Sequence, residues 1–352
     1  MKLYYRIFTR KDYQDKMLQL QINVNPADNN SYSSIEEALK VALELRQKHG
    51  TNDTITINLA PGTYHERLTV NIHNLVIQGT SDNASDVTIT HGDYAQAIHA
   101  DGNKYGTFRT ATFFIDADNV TLRNLTLENN AGAGVKIGQA LALYADGDNL
   151  FFENCRLLGR QDTLFTAPLP PNELQKHGFR GPKEFAPRRN QAHYYKNCYI
   201  EGDVDFIFGS AAAYFENCEL FSVYREELIC GYVAAPSTPE GRKIGYIFNH
   251  CRFTSDCPSK KIYLGRPWRD YAKMIVMNSY IGEHIYSEGW HDWDKPHAHE
   301  TIFFGEYNNY GPGADISHRA PFVHILTDDE AKSYDLSADD DTDKAYIFKC
   351  LA

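Results

Sequence analysis

The sequence predicts an all-β chain, a single-stranded right-handed parallel β-helix closed at its N-terminal end by one helix. Three observations carry this. A unit of a short apolar strand, an Asn with a small residue, and a second short strand recurs across about residues 54–310. No helix separates the units, which selects a β-helix among the solenoids. One segment ahead of the repeat has helical spacing, as an end cap would need.

That segment runs from Ser34 to Gln47. Ile35, Ala38, Leu39, Ala42 and Leu43 share a face, Ser33 or Ser34 can cap the first turn, and Glu36 and Glu37 follow. Thr54–Leu59 then alternates with period two and stops at Ala60-Pro61-Gly62. The repeat continues through Asn74–Gly79, Asn119–Leu127, Asn149–Leu157, His193–Ile200, Tyr214–Leu220, Tyr246–Phe253 and Ile275–Ile281. The recurring Asn suits a bend that needs left-handed backbone or side-chain bonding to the main chain. Cys155, Cys198, Cys218 and Cys251 hold equivalent places, which predicts an inward column of small side chains. A metal or redox site is the alternative reading of that column.

The chain reads as one domain, 1–352, with two departures from the repeat. Residues 168–192, rich in Pro, Lys and Arg, form a long excursion. From about 312 to 352 the repeat is lost, and this extension is expected either to pack along the outside of the coils or to stay loose.

Composition excludes some functions. Hydrophobic residues are 42% and charged residues 23%, as in a folded soluble protein. The net charge of −11 speaks against nucleic acid, which requires a basic footprint. No run is long enough to span a membrane. The N-terminus lacks an apolar segment after its first basic residue, and the seven cysteines make an odd number with no C-x-x-C pair. A cytoplasmic, reduced, monomeric protein without metal or cofactor is the expectation. The 23 Tyr and 19 Phe fit either a strand-rich fold or a sugar-stacking groove.

Two carboxylates stand in runs where charge is unexpected. Asp162 lies in Gly159–Phe165, and Asp205 is walled by Val204, Phe206, Ile207 and Phe208. A turn Asp is the plainer reading of either one. Their positions change that balance, because each follows its repeat cysteine by seven residues. Equal offsets stack two carboxylates on adjacent coils, about 4.8 Å apart. Such a pair couples, dividing the work of acid and nucleophile or base. Arg266, in Leu264-Gly265-Arg266-Pro267-Trp268, is the cation that would serve them.

Four blocks resemble the signatures of the pectin methylesterases, in that family's order: Gln139–Leu143, Gly159–Leu164, Gly202–Gly209 and Leu264–Trp268. Weaker pieces are Gly62-x-Tyr64-x-Glu66, Thr107–Thr112, Gly289-Trp290-x-x-Trp293 and Gly305–Gly313. Together they span about residues 30–320. The resemblance implies a metal-free carbohydrate esterase acting on C6 methyl esters of pectin or galacturonate oligomers. It implies Asp205 as nucleophile, Asp162 as acid then base, Gln139 and Gln161 as oxyanion donors, and Arg266 holding Asp205 ionised. Trp268, Phe206 and Trp290 would stack on sugar, and Thr107 would contact substrate. Tyr144 departs from the family, which often has a basic residue there, so recognition of a nearby free carboxylate is expected to be weaker. The excursion between the two aspartates is a second departure, placed to rise beside the cleft and favour short chains. Two carboxylates also suit a glycosidase, but that reading leaves the Gln pair and the Arg-Pro-Trp block unused. A catalytically altered relative, thioesterase-like or purely carbohydrate-binding, would lack one of the five polar residues kept here.

Overall fold

The structure, a computed structural model, describes residues 5–9, 18–49, 52–336 and 344–352. Successive coils each give one strand to three sheets, which hold twelve, eight and seven strands among the described residues. One coil consists of Leu150–Glu153, Arg156–Leu158 and Leu164–Thr166, and the next of Ala192–Lys196, Tyr199–Gly202 and Val204–Gly209. Corresponding strands pair in parallel, with Leu150 opposite His193, Leu157 opposite Ile200 and Leu164 opposite Ile207. The winding is the right-handed parallel β-helix the repeat predicts. The sequence unit shows two strands per coil; the third, after a turn of one residue (203) in one of these coils and five (159–163) in the other, completes the seven-stranded sheet and borders the site.

The interior is built by like residues stacking coil on coil. Phe152, Tyr195, Phe215 and Phe248 form a continuous ring stack with centroids 4.5, 4.6 and 4.4 Å apart. Each such contact contributes about 0.5–1.5 kcal/mol beyond the area it buries. Cys155, Cys198, Cys218 and Cys251 form the expected inward column, all buried, with the Cys198 amide donating to Cys218 Sγ at 3.4 Å. Asn turns bend the coils. Asn124, Asn154, Asn197, Asn217 and Asn278 all have φ between 50° and 53°, where Asn is tolerated better than branched residues. A second column, Asn74, Asn119 and Asn149, is joined by side-chain amide bonds of 3.0 and 3.2 Å.

Helix Ile35–His49 closes the N-terminal end, burying Ile35, Ala38, Leu39, Ala42 and Leu45 in the same core. The amide of Glu37 donates to Ser34 Oγ at 3.2 Å. The amides of Ile35 and Glu36 donate to the Glu66 carboxylate, both at 2.9 Å, a long-range cap invisible in the local sequence. The parallel ladder exceeds the 54–310 span, from Leu18–Val24 to Val323–Ile325. Beyond it, helix Asp328–Tyr334 carries a Thr327/Glu330 capping box, and helix Lys344–Leu351 lays Ile347 and Leu351 on the outside of the twelve-stranded sheet.

Candidate active site

Asp162 and Asp205 sit where two successive coils turn into the seven-stranded sheet. Both have left-handed backbone, φ 65° and 50°. Asp and Asn visit that region more readily than other residues, at a cost of roughly 1–2 kcal/mol. The Asp162 amide donates to the Val204 carbonyl at 3.0 Å, which ties the two turns together. Gly202 is required here: a Cβ would lie 2.3 Å from Phe206 Cβ and 2.4 Å from the Arg160 carbonyl. The register shifts between Val204 and Ile207, so a bulge frees Asp205 from the ladder and turns its carboxylate outward.

Arg266 grips Asp205 with two parallel bonds, Nε to Oδ1 at 2.8 Å and Nη2 to Oδ2 at 2.7 Å. Its guanidinium is itself clamped between the rings of Tyr232 and Trp293, each centroid 3.7 Å away. Asp162 has no such partner. Burial first, and then the neighbouring Asp205 charge, push its carboxyl well above the usual range. One carboxylate is thus bonded to a bidentate cation, while burial and the neighbouring charge favour the protonated form of the other.

A recess of about 390 Å³ opens over the pair. Gln139, Gln161 and Thr107 line one bank. Gln161 is packed against Gly134, where a Cβ would come within 2.7 Å of its own Cβ. Among the described residues, neither Gln side-chain amide has a hydrogen-bond partner, so both are available to a ligand. Phe208 and Trp268 form apolar floor and wall, 5.5 Å apart. Among the described residues no group of three or more His, Cys, Asp or Glu could hold a metal.

Two expected stacking residues are not in the recess. Phe206 is fully buried in the coil interior, because the bulge at Asp205 turns it inward; Phe208, two residues on and itself largely buried, lines the recess instead. Trp290 is also internal, stacked on Phe304 at 4.7 Å with its indole N–H donating to Glu306 Oε1 at 2.9 Å. Trp293, at φ 57°, lines the recess in its place. Tyr144 is buried beneath Phe108 and Phe165 and does not line this recess. Besides Arg266, the cations that do are Arg269 and Lys295. Arg269 directly follows Trp268, so its signal was present in the sequence; Lys295 follows a strained turn whose direction no local pattern reveals. From the excursion, Leu174, Gln175, Gly178 and Phe179 complete the opposite bank.

A family model described as Pectinesterase matches residues 21–169 and 186–338. Its break falls inside the excursion. The chain is 34% identical over 285 residues to Pectinesterase QRT1 of Arabidopsis thaliana, covering 80% of this chain and 68% of that one. It is 30% identical over 316 residues to Pectinesterase 31 of the same plant, covering 88% and 89%. Among solved structures it is similar to pectin methylesterase PemA from Erwinia chrysanthemi, with TM-score 0.71 and 27% identity over 90% of this chain and 95% of that one. It is equally similar, at TM-score 0.71 and 27% identity with the same coverage, to a pectin methylesterase in complex with a hexasaccharide.

Proposed function

Because the chain belongs to the pectinesterase family, we propose that Asp205 and Asp162 carry out its reaction as nucleophile and proton donor. The chain is a carboxylic ester hydrolase that removes methyl esters from pectin. The observation that carries the division of roles is the Arg266 fork on Asp205 beside a cation-free, buried Asp162.

The steps follow from these charges. An Asp205 oxygen, paired with and aimed by Arg266, attacks the ester carbonyl carbon of a galacturonate. The Gln139 and Gln161 amides donate to the oxygen that becomes negative, a contribution worth about 3–4 kcal/mol per donor in such sites. As the tetrahedral centre collapses, the C–O bond to the methoxy group breaks and Asp162 gives it a proton, releasing methanol. An anhydride to Asp205 remains. Asp162, now ionised, takes a proton from water, whose oxygen attacks the acyl carbon. Asp205 leaves as carboxylate, and Asp162 holds a proton again. Trp268 and Phe208 would hold the sugar ring, with Thr107 at the rim.

A solved pectin methylesterase of this fold carries a hexasaccharide. A methylated galacturonate chain is the ligand proposed for this recess. Both aspartates, the glutamines and Arg266 come from one chain, so a monomer is the proposed active form. The buried column of unpaired thiols suits a reducing compartment, and cytoplasmic action on oligomers is proposed on that ground. Fractionation against a secreted marker tests it. The mechanism is tested by methanol release from methylated pectin. Asp205→Asn should retain native circular dichroism and lose turnover; a fully active variant would refute the nucleophile.

A further inference from the structure

The outward face of the seven-stranded sheet carries a continuous track along the β-helix axis. Thr69, Phe114, Tyr144, Phe165, Phe208 and Ala235 are opposite one another on successive strands. A linear polysaccharide lying on this face would follow that track past Asp162 and Asp205.

The track is covered on one side of the aspartates. Phe108, from the first bank, lies over Phe165 and Tyr144, with ring centroids at 4.9 and 6.0 Å. From the other bank the excursion brings Phe179 to 5.9 Å from Phe108. The backbone closes at Gly181, where a Cβ would lie 2.8 Å from Phe108 Cβ and 2.9 Å from its carbonyl oxygen. Phe108 and Phe179 are both buried. What remains of the track is a separate recess of about 330 Å³, lined by Thr69, Phe114, Tyr144 and Pro182, with Phe108 shared between the two.

The cover is anchored at both ends of the sheet. Lys183 pairs with Asp116 and lies 3.7 Å from Asp146, while Arg189 pairs with Asp118. At the far side Arg269 donates to the Asn172 carbonyl at 3.1 Å. Gln191 donates to the buried Asp146 at 2.5 Å, so the return of the excursion is fixed as well.

We propose that the catalytic cleft is blind on the side of the N-terminal coils and open only toward Trp268, Trp293 and Lys295. The enzyme then removes methyl esters at or next to one end of a galacturonate chain rather than along its length. The cover begins over Phe165, in the same coil as Asp162. Asp205 stands one coil further on, so at about 4.8 Å per coil this leaves space for about one sugar ring on the closed side. The proposal rests on the esterase reading given above, and Phe179, Gly181 and Lys183, which bring the excursion onto Phe108, belong to the segment 170–185 that the family model leaves unmatched.

The test uses the whole protein and fully methylated hexagalacturonate labelled with ¹⁸O at its reducing end. Fragment-ion mass spectrometry after partial conversion maps the ester lost first. Loss confined to the last one or two units at a single end is expected. Per-ester kcat/KM should also fall about twofold from the trimer to the hexamer, as the share of reactive ends falls. Early loss spread over internal units, or a per-ester rate independent of length, overturns the proposal and leaves the esterase reading intact. Methanol release from no substrate overturns both. Phe179→Ala, which opens the dam without touching Asp116 or Asp118, should raise the internal fraction. The positions mapped with the unaltered protein decide the matter even if that variant fails to fold.

Discussion

Replacing Arg266 by Leu removes the cation from a buried pair and keeps most of its volume. The side chains of Arg266 and Asp205 are only 15% and 11% exposed. Taking one partner from such a pair costs about 3–5 kcal/mol, because the other charge stays desolvated. The two ring faces of Tyr232 and Trp293 also lose the guanidinium they enclose. With an unfolding entropy of about 2.1 cal/mol/K per residue, a chain of 352 residues loses about 4–7 °C in Tm for that cost. Differential scanning calorimetry at neutral pH gives the number. The decisive comparison is the double variant Asp205→Asn/Arg266→Leu, in which no charge is left stranded. It should recover about half of the loss or more. A single variant melting within about 1 °C of the parent, or a double variant no more stable than the single, would refute the account of Arg266 as the counter-charge of Asp205.

Other outcomes follow from the same geometry. Gln139→Ala and Gln161→Ala should each lower kcat about 10²–10³-fold with a smaller change in KM, and steady-state kinetics showing the loss wholly in KM would make them ground-state contacts only. Asp162→Asn should cost about 10²–10⁴ in turnover. Because the folded-state pKa of Asp162 is raised, its contribution to stability is lost as pH rises; the Asn variant should therefore gain in urea midpoint relative to the parent at alkaline pH and not at pH 3. His193 behaves in the opposite sense. Burial lowers it to about 4, so the fold loses stability as pH falls from about 6.5 to 4, by about 3 kcal/mol. His193→Leu should flatten that acid limb in urea titrations at pH 7 and 4.5, and an unchanged limb would show that His193 is not its source.

The repeat was legible because a β-helix writes each coil into the chain as a period of apolar strand and Asn turn. The equal seven-residue offsets of Asp162 and Asp205 from Cys155 and Cys198 survive in the structure, where Leu164 and Ile207, two residues on, face each other. Side-chain direction was less legible. A bulge adds a residue without changing composition, so it reversed Phe206 and Phe208, and a left-handed turn at Trp293 did the same for Trp290. The contacts of the excursion were unreadable for another reason. Lys183 meets Asp116 across 67 residues and Arg189 meets Asp118 across 71, and ion pairs at that separation leave no period. The Glu66 cap on helix Ile35–His49 is of the same kind.

The column of thiols gives the molecule an internal clock. Cys155, Cys198, Cys218 and Cys251 mark four successive coils, each sealed from solvent by the coils above and below it. A thiol reagent can reach one of them only when its own stretch of the winding has come apart. Cys257 and Cys350, half exposed, react first and set the baseline. The order in which the four sulfurs of the column, told apart from the buried Cys230, then become modified under mild denaturant would time the unwinding from either end, coil by coil. The four column cysteines are therefore also a record of how the winding is undone.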